Sequence, residues 1–95
     1  MSITVAGIEF ARHHYDDRGD VLYLNTESHD GSKPPPYAYA TNEGHGIEFD
    51  EERHVTAMTL VNVKFLIERD RELRITWPDG HVTRDDPAQV LTPAA

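Results

Sequence analysis

A chain of 95 residues with 17 acidic and nine basic side chains carries a formal net charge of −8, and it contains no cysteine. That length holds one domain, residues 1–95, and the missing cysteines exclude a disulfide framework, a thiolate nucleophile and a cysteine-based zinc site. The negative balance repels phosphate backbones, so no nucleic-acid partner is expected.

The opening Met1-Ser2-Ile3-Thr4-Val5 has no basic segment and leads into no long apolar run, so no secretory signal and no membrane span are expected. A cysteine-free chain fits a reducing compartment, and the expected location is cytoplasmic. A domain this short buries about two-thirds of the surface its unfolded chain exposes. A homodimer would cover apolar surface that one copy leaves open. The charge is uneven: residues 1–63 hold eleven acidic and four basic side chains, residues 64–84 four acidic and five basic, and residues 85–95 two acidic.

The dominant hydrophobic period is two, the signature of strands. Ile3-Thr4-Val5 begins a strand that Ala6-Gly7 interrupts, and Ile8 to Tyr15 continues it. Asp16-Asp17-Arg18-Gly19-Asp20 is a turn in which Gly19 can take a positive φ. Val21-Leu22-Tyr23-Leu24 returns from it, completing a hairpin from 8 to 25. Residues 28–36 end in Pro34-Pro35-Pro36, which cannot donate ladder hydrogen bonds, so they form a loop outside the sheet or at its edge. Tyr37 to Thr41 alternates as a strand, residues 42–46 turn, Ile47-Glu48-Phe49 alternates again, and Asp50 to His54 is a polar turn. Val55 to Val63 is the longest strand candidate, apolar on both faces and therefore central. Phe65-Leu66-Ile67 prolongs that run. Residues 68–72 read either as a helical turn or as a hairpin turn, and the clean alternation of Leu73 to Trp77 favours the hairpin. Pro78-Asp79-Gly80 is a strong turn, with His81-Val82-Thr83 returning. Asp86 as N-cap and Pro87 at the first helical position open a short helix to Leu91, and residues 92–95 fray.

The expected fold is mainly β: a small antiparallel sheet or roll of six to seven short strands, joined as hairpins or a meander, with one short C-terminal helix. Its core draws on Ile8, Phe10, residues 21–24, Ile47, Phe49, Val55, Met58, Leu60, Val61, Val63, Ile67, Leu73, Ile75 and Trp77.

His14-Tyr15-Asp16, Asp20-Val21-Leu22-Tyr23-Leu24, Gly46 to Glu51 and Val55 to Asn62 together resemble a small bacterial family catalogued as domain of unknown function 2283. The resemblance spans Tyr15 to Asn62, and its most specific part is the Tyr-Asp followed by Asp-Val-Leu-Tyr. It departs from the family pattern at Asp50 to His54, which lacks the expected glycine, and at residues 25–45, which are longer than in compact members. The resemblance implies a β-rich fold and no catalytic residue. It also suggests an antitoxin-like role, since some members look like neighbours of small toxin-like genes.

His13 and His14, with Asp16 and Asp20 nearby, are the candidate metal ligands, since imidazole and carboxylate together suit zinc or nickel. Adjacent residues on a strand face opposite ways, so only one histidine can join a given site, and turn aspartates have a plain use in accepting backbone N–H groups. His29-Asp30 and His45 lie in loops, where a histidine can act as a base near neutral pH, yet no nucleophilic constellation is legible. Arg18-Gly19-Asp20 matches an integrin-binding tripeptide by chance, and Gly44-His45-Gly46 lacks the lysine and helix start of a phosphate loop. Tyr37, Tyr39 and Trp77 either form an aromatic binding surface or pack the sheet, and packing is the favoured role. Pro34-Pro35-Pro36-Tyr37 suits either a polyproline ligand or, preferably, a stiff loop that blocks an edge.

No enzyme activity and no cofactor are expected. The leading expectation is a non-catalytic interaction module that presents Asp16, Asp17, Asp20, Glu48, Asp50, Glu51 and Glu52 to a basic protein. The alternatives are a metal- or small-ligand-binding module at His13 or His14 and a structural homodimer.

Overall fold

A computed structural model of the protein describes residues 3–85; the expected helix at 86–91 and the frayed end at 92–95 lie outside the described residues. The described residues are mainly β, with small antiparallel sheets and one short helix.

The expected hairpin from 8 to 25 divides at Ala11. Strands β1 (Ile3–Val5) and β2 (Ile8–Phe10) pair with each other around Ala6-Gly7. Both turn residues have positive φ, 54° and 77°, the backbone of a two-residue loop whose twist matches its strands. Strands β3 (Arg12–Asp16) and β4 (Val21–Asn25) form the next hairpin. Asp16 Oδ1 accepts the Arg18 N–H at 3.1 Å inside its turn, and Asp20 closes the turn at φ 56°.

Strands β5 (Tyr37–Ala40), β6 (Gly46–Phe49) and β7 (Val55–Val61) complete a five-stranded sheet of order β3-β4-β7-β6-β5. The longest strand is central, as its two apolar faces predict. A register shift between Glu48 and Phe49 makes Phe49 face Val55, so Thr56 is the extra residue of a bulge. Residues 26–36 run outside the sheet.

The segment after β7 departs from expectation. The strand ends at Val61, Asn62 turns the chain at φ 52°, and α1 (Val63–Asp70) follows in place of a continued strand and a hairpin turn. Val63, Leu66 and Ile67 are three and four residues apart, so a helix turns all three inward, whereas a strand would split them between faces. Arg71, at φ 63°, ends the helix by donating its N–H to Ile67 O at 2.7 Å. The last hairpin pairs β8 (Leu73–Thr76) with β9 (Val82–Asp85).

One face of the sheet is covered. Leu22, Leu24, Ile47, Met58 and Leu60 pack there with Val5 and Phe10 of the first hairpin, Val63 of α1, and Leu73, Ile75 and Trp77 of the last hairpin. Tyr23 faces the other way beside His14 and Thr59, 41% exposed, and is not a core residue. Ile8, Val21, Phe49, Val55, Val61 and Ile67 are only half-buried. Val5 and Ala57, which are not in the expected core, are buried, and so are the polar Thr41, His45 and Thr56.

Candidate interaction surface

The seven acidic candidates do not form one surface. Asp16, Asp17 and Asp20 sit in the β3–β4 turn, beside the Val61 end of β7, while Glu48, Asp50, Glu51 and Glu52 sit by its Val55 end. A strand of that length separates its ends by about 20 Å.

Several of these carboxylates serve the fold. Asp20 Oδ1 accepts the Lys64 N–H at 2.8 Å and the Tyr15 hydroxyl at 2.7 Å, and Oδ2 accepts the Phe65 N–H at 3.1 Å. Burial pushes the Asp20 carboxyl up, but the Lys64 N–H, the Tyr15 hydroxyl and the Phe65 N–H outweigh it and hold the group below its ordinary range. Burial, with the Asp20 hydrogen bond and charge, pushes Tyr15 up to about 12. Asp50 Oδ1 accepts the N–H groups of Glu52 and His54, both at 2.9 Å, which shapes the β6–β7 turn. Arg53 occupies that turn at φ 67°, the conformation a glycine would adopt without strain.

His13 and His14 are exposed on opposite faces of β3, and His14 stacks on Tyr23 with ring centroids 6.3 Å apart. Among the described residues no three His, Asp or Glu side chains converge as metal ligands. In the loop at 28–36, Asp30 Oδ1 is engaged by the Ser32 N–H at 2.9 Å and the Ser32 hydroxyl at 2.6 Å.

His45 lies in the β5–β6 loop as expected but is turned into the protein. It is fully buried, its Nδ1 accepts the Val61 N–H at 3.0 Å, and its own N–H donates to Thr41 Oγ1 at 3.0 Å. Nδ1 is therefore the unprotonated nitrogen. Nε2 faces the Arg74 backbone without reaching hydrogen-bond geometry. Burial pushes the His45 imidazole below its usual range, against the pull of the Glu43 charge. Glu43 in the same turn accepts the Thr76 N–H at 2.9 Å and the Thr76 hydroxyl at 2.6 Å, tying the β5–β6 loop to β8. Thr41, Glu43 and His45 thus form a polar brace, and the His45 imidazole is closed to solvent.

The aromatic residues do converge. Period two puts Tyr37 and Tyr39 on one face of β5. Across from them, Trp77 follows β8 and is anchored by its Nε1–H to Thr83 Oγ1 at 3.0 Å. The tight turn beyond it, with Gly80 at φ 93°, returns His81 onto Trp77, the rings 5.7 Å apart and nearly parallel. Asp79 fixes His81 through the His81 N–H at 3.0 Å and a ring hydrogen bond to Nδ1. The result is a groove of about 550 Å³ walled by Tyr37, Tyr39, Phe49, Trp77 and His81. The Arg53 guanidinium lies over the Tyr37 ring, 4.5 Å from its centroid. Phe49 also borders a second cleft of about 240 Å³, between the proline loop and the β6–β7 turn, whose lining includes Asp30, Glu48, Asp50 and Glu51. An aromatic groove and an acidic cleft therefore adjoin at the β5 edge of the sheet.

The packing role favoured for Tyr37, Tyr39 and Trp77 fits Trp77, which is only 8% exposed, but not Tyr37, which is 44% exposed. Phe49, Arg53 and His81 were missed by sequence reasoning, because only the fold brings 37–39, 49–53 and 77–81 together. Comparison with known proteins gave no match: no family model, no curated protein and no solved structure aligns with this chain. Among the described residues no helix is long and apolar enough to cross a membrane.

Proposed function

We propose that this chain is a non-catalytic interaction module that binds a basic protein at the β5 edge of its sheet, with neutralisation of a toxin-like partner as its sharpest form. The observation that carries the reading is the aromatic groove beside an acidic cleft, joined at Phe49. Exposed tyrosine supplies rigid contact area. The carboxylates of Glu48, Asp50 and Glu51, on a chain of net charge −8, steer a cationic surface toward it. The contact set narrows to Glu48, Asp50, Glu51 and Glu52 together with Tyr37. Asp20, tied to α1, serves stability instead.

The test is a low-salt capture from the source cells' lysate with the tagged wild type and with Tyr37→Ala. A stoichiometric basic partner that salt releases and that Tyr37→Ala fails to retain supports the reading. A partner retained equally by both proteins, or held equally well in high salt, counts against it.

A further inference from the structure

Strand β5 is the last strand of the sheet and pairs only with β6 among the described residues. At its end, Thr41 donates its N–H to His45 O at 2.8 Å. Antiparallel pairs alternate between bonded and non-bonded positions, so Tyr39 and Tyr37 also bond inward toward β6. Ala38 and Ala40, both exposed, then direct their N–H and C=O groups outward, where another strand can take them. Neither carries bulk or charge that would keep a strand away.

Arg53 adds a second observation. It holds a left-handed φ of 67° in its turn, and its guanidinium lies 4.5 Å from the Tyr37 ring centroid. The groove thus already holds a cation against an aromatic face. That cation belongs to an exposed side chain that can swing away. Asp79, which lines the groove and bonds His81, and Asp50 and Glu52, which flank His54 in the turn that carries Arg53, have side-chain exposures of 71%, 38% and 80% and make the surroundings of Tyr37 negative.

Resting on the proposed binding of a basic protein, we infer that the partner contributes an extended basic segment. It pairs as an added strand with the outward groups of Ala38 and Ala40, and it sets an Arg or Lys cation on Tyr37 in place of Arg53. Backbone pairing gives affinity and the alternate side chains give selectivity for a cationic residue. The displaced Arg53 acts as an internal competitor, so its removal strengthens binding.

The experiment is fluorescence anisotropy with a labelled eight-residue peptide of alternating Arg and Val, at low and at high salt. The expected result is salt-sensitive binding to the wild type. Ala38→Pro, which removes one outward donor and tolerates an edge position, weakens binding about tenfold. Arg53→Gly tightens it about two- to fivefold, a gain that a misfolded variant cannot mimic. Circular dichroism checks that both variants keep the wild-type fold. If the wild type binds the peptide with salt sensitivity but folded Ala38→Pro and Arg53→Gly bind like it, strand addition is overturned while the basic-partner reading stands. If the wild type binds neither this peptide nor any basic protein captured from the lysate, both are overturned.

Discussion

The carboxylate of Asp20 receives the Phe65 N–H at 3.1 Å, although the two residues lie 45 positions apart in the chain. The same side chain takes the Lys64 N–H, and the Asp20 carbonyl takes the Val63 N–H at 3.2 Å. Three N–H groups of the first turn of α1 are thereby satisfied from the β3–β4 turn. Asn62, at the N-cap position, makes no side-chain cap bond. The negative charge also complements the positive end of the helix dipole.

Asp20→Ala should therefore destabilise the protein by about 2 kcal/mol, the upper end for loss of a cap, because the Tyr15 hydroxyl also loses its acceptor. Tyr15→Phe should cost about 1 kcal/mol. Urea denaturation followed by tryptophan fluorescence measures both. The Asp20 contribution is present above the unfolded carboxyl value near 3.9 and fades as pH falls through its lower folded value. A double variant whose losses simply add would argue against coupling of the two groups.

Protonation of His45 would place a charge among buried side chains and remove the acceptor of the Val61 N–H. Its folded pKa lies below the ordinary value near 6.5. In the window beneath that value the unfolded chain binds the extra proton more readily. Stability is thus fully present above about pH 6.5 and declines as pH falls toward the folded value. His45→Leu, less stable at neutral pH, should show a flatter profile between pH 7.5 and 5.5 in a series of urea titrations. A variant as steep as the wild type would assign the acid sensitivity to other groups.

Arg71 closes α1 at φ 63° and is exposed. Glycine adopts that conformation without the cost of a side chain, so Arg71→Gly should raise stability by about 1 kcal/mol. Thermal denaturation should show a higher midpoint. A lower one would mean that the arginine makes a contact more valuable than the relief of backbone strain.

The two ends of the aromatic groove should separate cleanly. Tyr37→Ala, at an exposed edge, should alter stability by less than about 1 kcal/mol yet abolish partner capture. Trp77→Ala should cost about 3–5 kcal/mol, because the indole sits in the core and bonds Thr83. Equal destabilisation in the two variants would make the groove a packing feature alone.

Much of the β architecture was legible locally. The alternation in Tyr37 to Thr41, Ile47 to Phe49 and Leu73 to Trp77, and the breaks at Asp16 to Asp20 and Pro78 to Gly80, each require only neighbours in sequence. The helix was not legible. Val63 to Asp70 contains β-branched and aromatic residues that suit a strand equally well, and the helix draws on distant partners, the core that takes Val63, Leu66 and Ile67 and the Asp20 carboxylate that accepts its first N–H groups. His45, flanked by glycines, reads locally as a loop histidine. Only the folded position of the Val61 N–H makes it an interior acceptor.

The candidate surface divides in the same way. The sequence by itself determines that the protein is acidic and cysteine-free, through its composition, and rich in short strands, through the order of its residues. Tertiary structure decides which carboxylates act together. It sends Asp16, Asp17 and Asp20 to one end of β7 and Glu48 to Glu52 to the other, and it sets Tyr37 opposite Trp77 across a groove. The physical reason is that convergence depends on sheet order and register. These are fixed by the shared burial of Leu22, Ile47, Met58 and Ile75 in one core, not by any short run of residues.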